Sequence, residues 1–203
     1  MGLREAKKQQ TRTAIADAAA ALFFGRGFDQ VSVAEVARAA GVSVNTVFNY
    51  FPAKEDLFFD RRSEVEQHLA TVVRTAPAGV RPADAVRADL LAAIDRADPY
   101  LGLSPDAATF WRVVHDSPAL LARAREIAEQ AEAALAEVLV QRAAAPPQDA
   151  LPHLCAGAIA GAYRAVVAEI RRQMLDGRDP DSVRDDVRTA TVRAFDTLST
   201  LVE

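Results

Sequence analysis

The chain has a single cysteine, Cys155, among 203 residues, which excludes an internal disulfide and leaves thiol redox chemistry without a resolving partner. Its three histidines, His68, His115 and His153, show none of the spacings that hold a metal, so no metal and no cofactor is predicted. Only nine glycines and ten prolines are present, too few for a low-complexity or disordered chain. No uninterrupted apolar run approaches the roughly 20 residues of a membrane span. The basic N-terminal residues Arg4, Lys7, Lys8 and Arg12 lead into an amphipathic helix and not into a signal-peptide core, so a cytoplasmic protein is expected.

What is present is helix. Half of the residues are apolar, and Ala, Leu, Arg and Glu, all good helix formers, dominate. Ile15, Ala18, Ala19, Leu22 and Phe23 recur at helical spacing and predict a first helix over about Arg4–Phe24, stopped by Gly25-Arg26-Gly27. Ser32 and Glu35 then form a capping-box pattern, with Val31 and Val36 placed as a hydrophobic staple, so a second helix should cover Val33–Ala39. The same grammar returns immediately, with Gly41 for the turn, Ser43 as the cap and Val42 with Val47 as the staple. A third helix starts at Val44 and ends by Phe51, because Pro52 disfavours helical geometry in the residue before it.

Two short capped helices joined by a tight turn make a helix-turn-helix. On the third helix, Val44, Val47, Phe48 and Phe51 read as an apolar side, leaving Asn45, Thr46, Asn49 and Tyr50 to point outward. Asn pairs with adenine through a donor and an acceptor, and Thr and Tyr suit phosphate or a thymine methyl. Charge agrees with a polyanionic partner: residues 1–54 hold seven Lys/Arg against four Asp/Glu, whereas the remainder holds 17 against 24. Lys54 stands at the start of a long helix expected to run unbroken to about Arg74, where a helix N-terminus and a full positive charge would meet phosphate together.

Further helices are predicted at about 82–97, 105–115, 118–142, 150–176 and 181–202, punctuated by Pro99, Pro105, Pro118, Pro146, Pro147, Pro152 and Pro180. No strand pattern appears, so the fold class is all-α. On the last helix Val183, Val187, Ala190, Ala194, Leu198 and Leu201 form an apolar stripe, and Gly157 and Gly161 on its predecessor allow close helix approach; two such helices from each of two subunits would build a four-helix bundle. The same stripes would serve equally to pack the chain's own core. Phe110, Trp111 and His115 concentrate aromatic and ionisable groups in one short helix, with His68, Tyr100 and Tyr163 placed to join them around a small, apolar or aromatic compound. His115, Asp116 and Ser117 contain the parts of a hydrolase site, but consecutive residues do not converge on a substrate, and Ser117-Pro118 reads as a helix start.

The run Ser32–Leu57, SVAEVARAAGVSVNTVFNYFPAKEDL, closely resembles the DNA-binding region of the tetracycline-repressor family of bacterial transcription regulators, over about residues 10–60. The resemblance implies a helix-turn-helix domain at 1–57 and a helical effector-binding and dimerisation domain at 58–203. It implies a homodimer bound to a palindromic operator, acting as a repressor and released by a small effector. Ser43, Asn45, Thr46, Asn49 and Tyr50 match positions that face DNA in that family, Val44 a position that reads a base, and Lys54 a phosphate ligand; Ser32, at the start of the second helix, completes the candidate DNA-binding set. Phe48 departs from the pattern, since the family usually has a phosphate-binding Tyr there. The dimer set is Gly157, Gly161, Val187, Ala194, Leu198 and Leu201. Competing readings are a helical enzyme and a protein-interaction scaffold, which sequence-dependent binding to duplex DNA would separate from a regulator.

Overall fold

A computed structural model describes residues 2–98, 101–104, 107–144, 146 and 148–201, apart from the side chains of 3 and 199–201. Tyr100, of the predicted effector set, and the Leu201 side chain, of the predicted dimer set, lie outside the described residues. The helices in chain order are α1 (Leu3–Arg26), α2 (Val33–Ala39), α3 (Val44–Tyr50), α4 (Lys54–Phe58), α5 (Arg62–Thr75), α6 (Pro82–Asp95), α7 (Ala107–His115), α8 (Pro118–Ala143), α9 (Leu151–Leu175) and α10 (Pro180–Leu201). No strand occurs among the described residues. They group into two compact units, one of residues 1–62 with 112–123 and the other of 63–111 with 124–203.

In the first unit, α1 packs on α2 and α4, and α2 on α3. The core is Ile15, Ala19, Phe23, Phe28, Val31, Val36, Val47, Phe51 and Leu57, with Phe58 closing an aromatic cluster: its ring lies 6.1 Å from Phe23 and 6.2 Å from Phe28. Buried Asp56 ties the unit together. Its Oδ1 accepts from Arg123 Nη2 at 2.6 Å, Arg123 Nε at 3.2 Å and Arg62 Nη1 at 3.1 Å, while Oδ2 accepts from the Ala53 amide at 3.2 Å. Ser117, also buried, donates to Asp29 at 2.9 Å and accepts from the Leu120 amide, so it caps α8 as the sequence predicts.

The helix expected to run from Lys54 to Arg74 is in fact two, because the chain leaves helical geometry at Phe59 (φ -98°, ψ 56°). The cause is tertiary. Phe58 is drawn into the aromatic cluster, Phe59 packs edge-on against it at 5.2 Å, and the Asp60 carbonyl accepts a hydrogen bond from the Arg12 guanidinium. Arg61 and Val65, which an unbroken helix would align with Leu57, Phe58 and Leu69, are exposed.

In the second unit, α10 packs along α6 and α9, and α6 touches α9. Leu69, Val73, Val86, Leu90, Ile94, Leu135, Ile159, Ile170, Val183, Val187 and Phe195 are among the residues that form its core. Of the apolar stripe predicted for a dimer seam on the last helix, Val187 is 1% exposed and lies inside its own protomer, so it has no surface to give to a second copy. Leu198 is half-buried against the same core, while Ala194 is exposed. Helical periodicity finds an apolar stripe but does not say what the stripe faces. Among the described residues one helix, α9, is long and apolar enough to cross a membrane by length and composition. Its inner side, with Ala156, Ile159, Ile170 and Met174, is buried in the core of this unit.

Candidate nucleic-acid interface

Both short helices are held at their starts as the residue pattern requires. Ser32 Oγ accepts from the Glu35 amide and donates to Glu35 Oε2, which also accepts from the Ser32 amide at 2.8 Å. Glu35 further pairs with Arg26 at 2.8 Å. Its carboxyl is pulled down to about 2, first by the Ser32 backbone hydrogen bond and then by Arg26. At α3, Ser43 Oγ accepts from the Thr46 amide at 3.1 Å and lies 2.8 Å from the Thr46 hydroxyl. Gly41 takes φ +67° in the turn between the helices, a conformation that a side chain would strain.

The direction in which α3 points differs from the sequence expectation. Val47 and Phe51 are buried, but Val44 and Phe48 are 38% and 44% exposed. Asn45 and Asn49 are exposed as predicted, whereas Thr46 and Tyr50 are half-buried. The outward strip is therefore Val44, Asn45, Phe48 and Asn49, rotated by about one residue from the Asn-Thr-Asn-Tyr strip that polarity suggests.

The other end of α3 is fixed by Arg12, one of the basic residues near the N-terminus. Arg12 donates to the Tyr50 carbonyl at 3.2 Å and lies 4.3 Å over the Phe51 ring. Its charge thus faces the orphan carbonyls at a helix C-terminus, where a cation is stabilising. Beside it a cleft of about 360 Å³ opens between α1 and α3, lined by Glu5, Lys8, Gln9, Arg12, Asn49 and Tyr50. Lys54 is likewise engaged within the protein. Its Nζ donates to the Phe28 carbonyl at 2.7 Å and sits 4.1 Å over the Phe28 ring, and burial lowers its pKa.

Of the predicted effector residues, His68 and Tyr163 come together in the second unit with ring centroids 6.1 Å apart. His68 Nε2 lies 2.8 Å from Asp89 Oδ2, a hydrogen bond that raises the imidazole pKa, and burial pushes the Tyr163 hydroxyl up to about 12. Phe110 and Trp111 meet edge-on at 5.1 Å, with the Arg171 guanidinium 4.9 Å over the Trp111 ring. His115 does not join them: its side chain is 78% exposed beside the equally exposed Asp116, so it lines no interior space. A cavity of about 350 Å³ in this unit is lined instead by Ala83, Leu139, Arg142, Pro152, Cys155 and Ile159, among others, and by none of the predicted effector residues. No sequence signal marked it, since its walls come from three separate helices.

Gly157 and Gly161 are half-exposed. A side chain at Gly157 would meet Glu132 Oε1 at 3.3 Å, whereas at Gly161 the nearest neighbour is Arg164 Nη2 at 3.8 Å.

Two capped helices with a rigid turn, one of them presenting an amide-bearing strip away from the core, define a helix-turn-helix protein of the DNA-binding regulator class. Comparison with known proteins agrees. Residues 15–60 match the model of bacterial regulatory proteins, tetR family, and residues 80–198 match the MftR C-terminal domain. The chain belongs to the tetR family of bacterial regulatory proteins. It is 28% identical over 144 residues to the HTH-type transcriptional regulator TcmR of Streptomyces glaucescens, a match that covers 70% of this chain and 64% of that protein, just under two thirds of its length. Among solved structures it is similar in fold to NalD, the secondary repressor of the MexAB-OprM multidrug efflux pump in Pseudomonas aeruginosa (18% identity, TM-score 0.58, covering 92% of this chain and 97% of NalD). A TetR-family regulator from Streptomyces coelicolor is also similar (24% identity, TM-score 0.50, covering 92% and 95%). The family is one of transcription regulators and not of enzymes. Ser117, one of the three residues of the hydrolase reading, donates to Asp29.

Proposed function

We propose that the chain is a cytoplasmic transcriptional repressor that binds a palindromic operator as a homodimer, placing α3 of each subunit in successive major grooves. The observation that carries this reading is the outward strip of α3, where Asn45 and Asn49 stand on one exposed face while both short helices are locked by their caps. In this reading the two asparagines specify bases. Ser43, Thr46 and Tyr50 lie beside phosphate, and Lys8 in the adjoining cleft tracks the backbone. Ser32 and Lys54 hold α2 and α4 in place, with any phosphate contact by Lys54 secondary to its bond with Phe28. The boundary between DNA-binding and effector-binding parts is proposed near residue 57, with 112–123 serving the former.

The dimer seam is proposed on the face of α9 that turns away from its own core, where exposed Leu154 continues into Gly157 and Gly161, together with the exposed Ala194 of α10. An apolar or aromatic effector is proposed for the second unit, near His68, Phe110, Trp111 and Tyr163. It would act only through its preference between two arrangements of the dimer, so operator DNA must weaken it by the same factor.

Selection of bound sequences from a random duplex library tests the reading. A palindromic motif is expected, and Asn45→Ala is expected to lose preference at particular positions by about 1–3 kcal/mol while leaving others intact. Uniform weakening at every position would show that Asn45 does not read bases.

A further inference from the structure

The strip that α3 presents is half apolar, and the asparagines account for only the other half. Val44 and Phe48 stand one helical turn apart, 38% and 44% exposed, on a helix whose other apolar residue, Val47, is fully buried. A helix needing only to be soluble and to pack against α2 has no use for two large hydrocarbon groups on its outer side. Nor does a phosphate contact require them, since neither side chain carries a donor. In the major groove the one apolar feature on a base edge is the C5 methyl of thymine.

Resting on the assignment of α3 as the DNA-reading helix, we propose that Val44 and Phe48 form a paired apolar reader of two thymine methyl groups in each operator half-site. Geometry constrains the pair. Four residues of helix rise about 6 Å, and successive bases on one strand are separated by about 3.4 Å, so the two methyls lie within about two base steps of each other. Asn45 and Asn49, each next in sequence to one of the pair, flank them on the same face and specify the adjoining bases. The half-site therefore carries an apolar mark beside a polar one. Phe48 becomes a specificity determinant in its own right and not merely a tyrosine lacking its hydroxyl.

Deoxyuridine isolates the methyl, because it keeps every hydrogen-bonding group of thymidine and lacks only C5-CH₃. The test takes the full-length protein and a duplex obtained by library selection, replaces each dT singly by dU, and measures affinity for wild type, Val44→Ala and Phe48→Ala. Two dT positions per half-site, within two steps, are expected to lose about four-fold in affinity with wild type, the factor that burying one methyl-sized group is worth. Phe48→Ala is expected to abolish the loss at one position and Val44→Ala at the other. Both residues are exposed, and unchanged thermal melts of the two variants would show that the fold is intact. A selected duplex bound tightly by wild type but indifferent to dU throughout would overturn the methyl-reading pair while leaving α3 as a DNA-reading helix. Failure to select any sequence would remove the DNA-reading assignment itself, and the pair with it.

Discussion

Replacing Asp56 by Asn changes one atom and removes the negative charge that Arg123 and Arg62 share at Oδ1. The side chain keeps its volume, so no cavity complicates the result. Three guanidinium hydrogen bonds converge on that oxygen, and the carboxylate is 10% exposed with Arg123 at 22%. Breaking a buried pair by removing one charge costs about 3–5 kcal/mol; Arg62 is 37% exposed and recovers solvation, which places Asp56→Asn near the lower end, at about 3 kcal/mol. Against a total stability of about 5–15 kcal/mol this is a large fraction. Arg123→Ala leaves Arg62 as counter-charge and is expected to cost about half as much, on the order of 1–2 kcal/mol. The Asp56→Asn/Arg123→Ala double variant should then be barely less stable than Asp56→Asn alone, because both changes remove the same interaction. Urea denaturation followed by circular dichroism measures all three. A midpoint for Asp56→Asn indistinguishable from wild type, or strict additivity in the double variant, would refute the view that this carboxylate closes the first unit.

Gly161→Leu separates fold from assembly: space around Gly161 and the better helix propensity of Leu should leave the protomer as stable or about 0.8 kcal/mol more so, while the larger side chain holds two α9 helices apart, so sedimentation should report monomers. A dimer that survived would move the seam off this face. The His68–Asp89 bond supplies a pH test. Because Asp89 raises the folded-state pKa of His68 above its ordinary 6.5, the stabilisation is whole below that value and is lost as pH rises through the raised one. Asp89→Asn should therefore lower the melting temperature more at about pH 6 than at about pH 8.5, and an equal loss at both would mean that the imidazole is not charged in the folded protein.

Helix starts were legible in the sequence because a cap is a local device: Ser32, Ser43 and Ser117 each bond an amide three residues on, and nothing distant is needed to predict it. The family resemblance in Ser32–Leu57 was legible for the same reason. The break at Phe59 was not, since it depends on Arg12 reaching a carbonyl 48 residues away and on an aromatic cluster drawn from α1, α4 and the loop between α1 and α2. The roll of α3 was hidden too, because Val44/Phe48 and Asn45/Asn49 have identical i, i+4 spacing and only the packing of Val47 and Phe51 decides which pair turns outward. For α10 the apolar stripe was read correctly as apolar, but Val187 spends its side chain on its own protomer and Leu198 part of its own.

The first unit, proposed to bind DNA, is made from two stretches of chain, and this bears on how such proteins are recombined. A cut after Arg62 is the obvious place to lift out a portable reading head and join it to another sensor. That cut abandons Arg123, which neutralises Asp56, and Ser117, which bonds Asp29. A grafted head would carry a buried carboxylate matched to a guanidinium in the discarded half. Exchange between relatives therefore calls for a two-segment transplant, 2–62 together with 112–123, in which the reading head inherits a strap from the body of the donor.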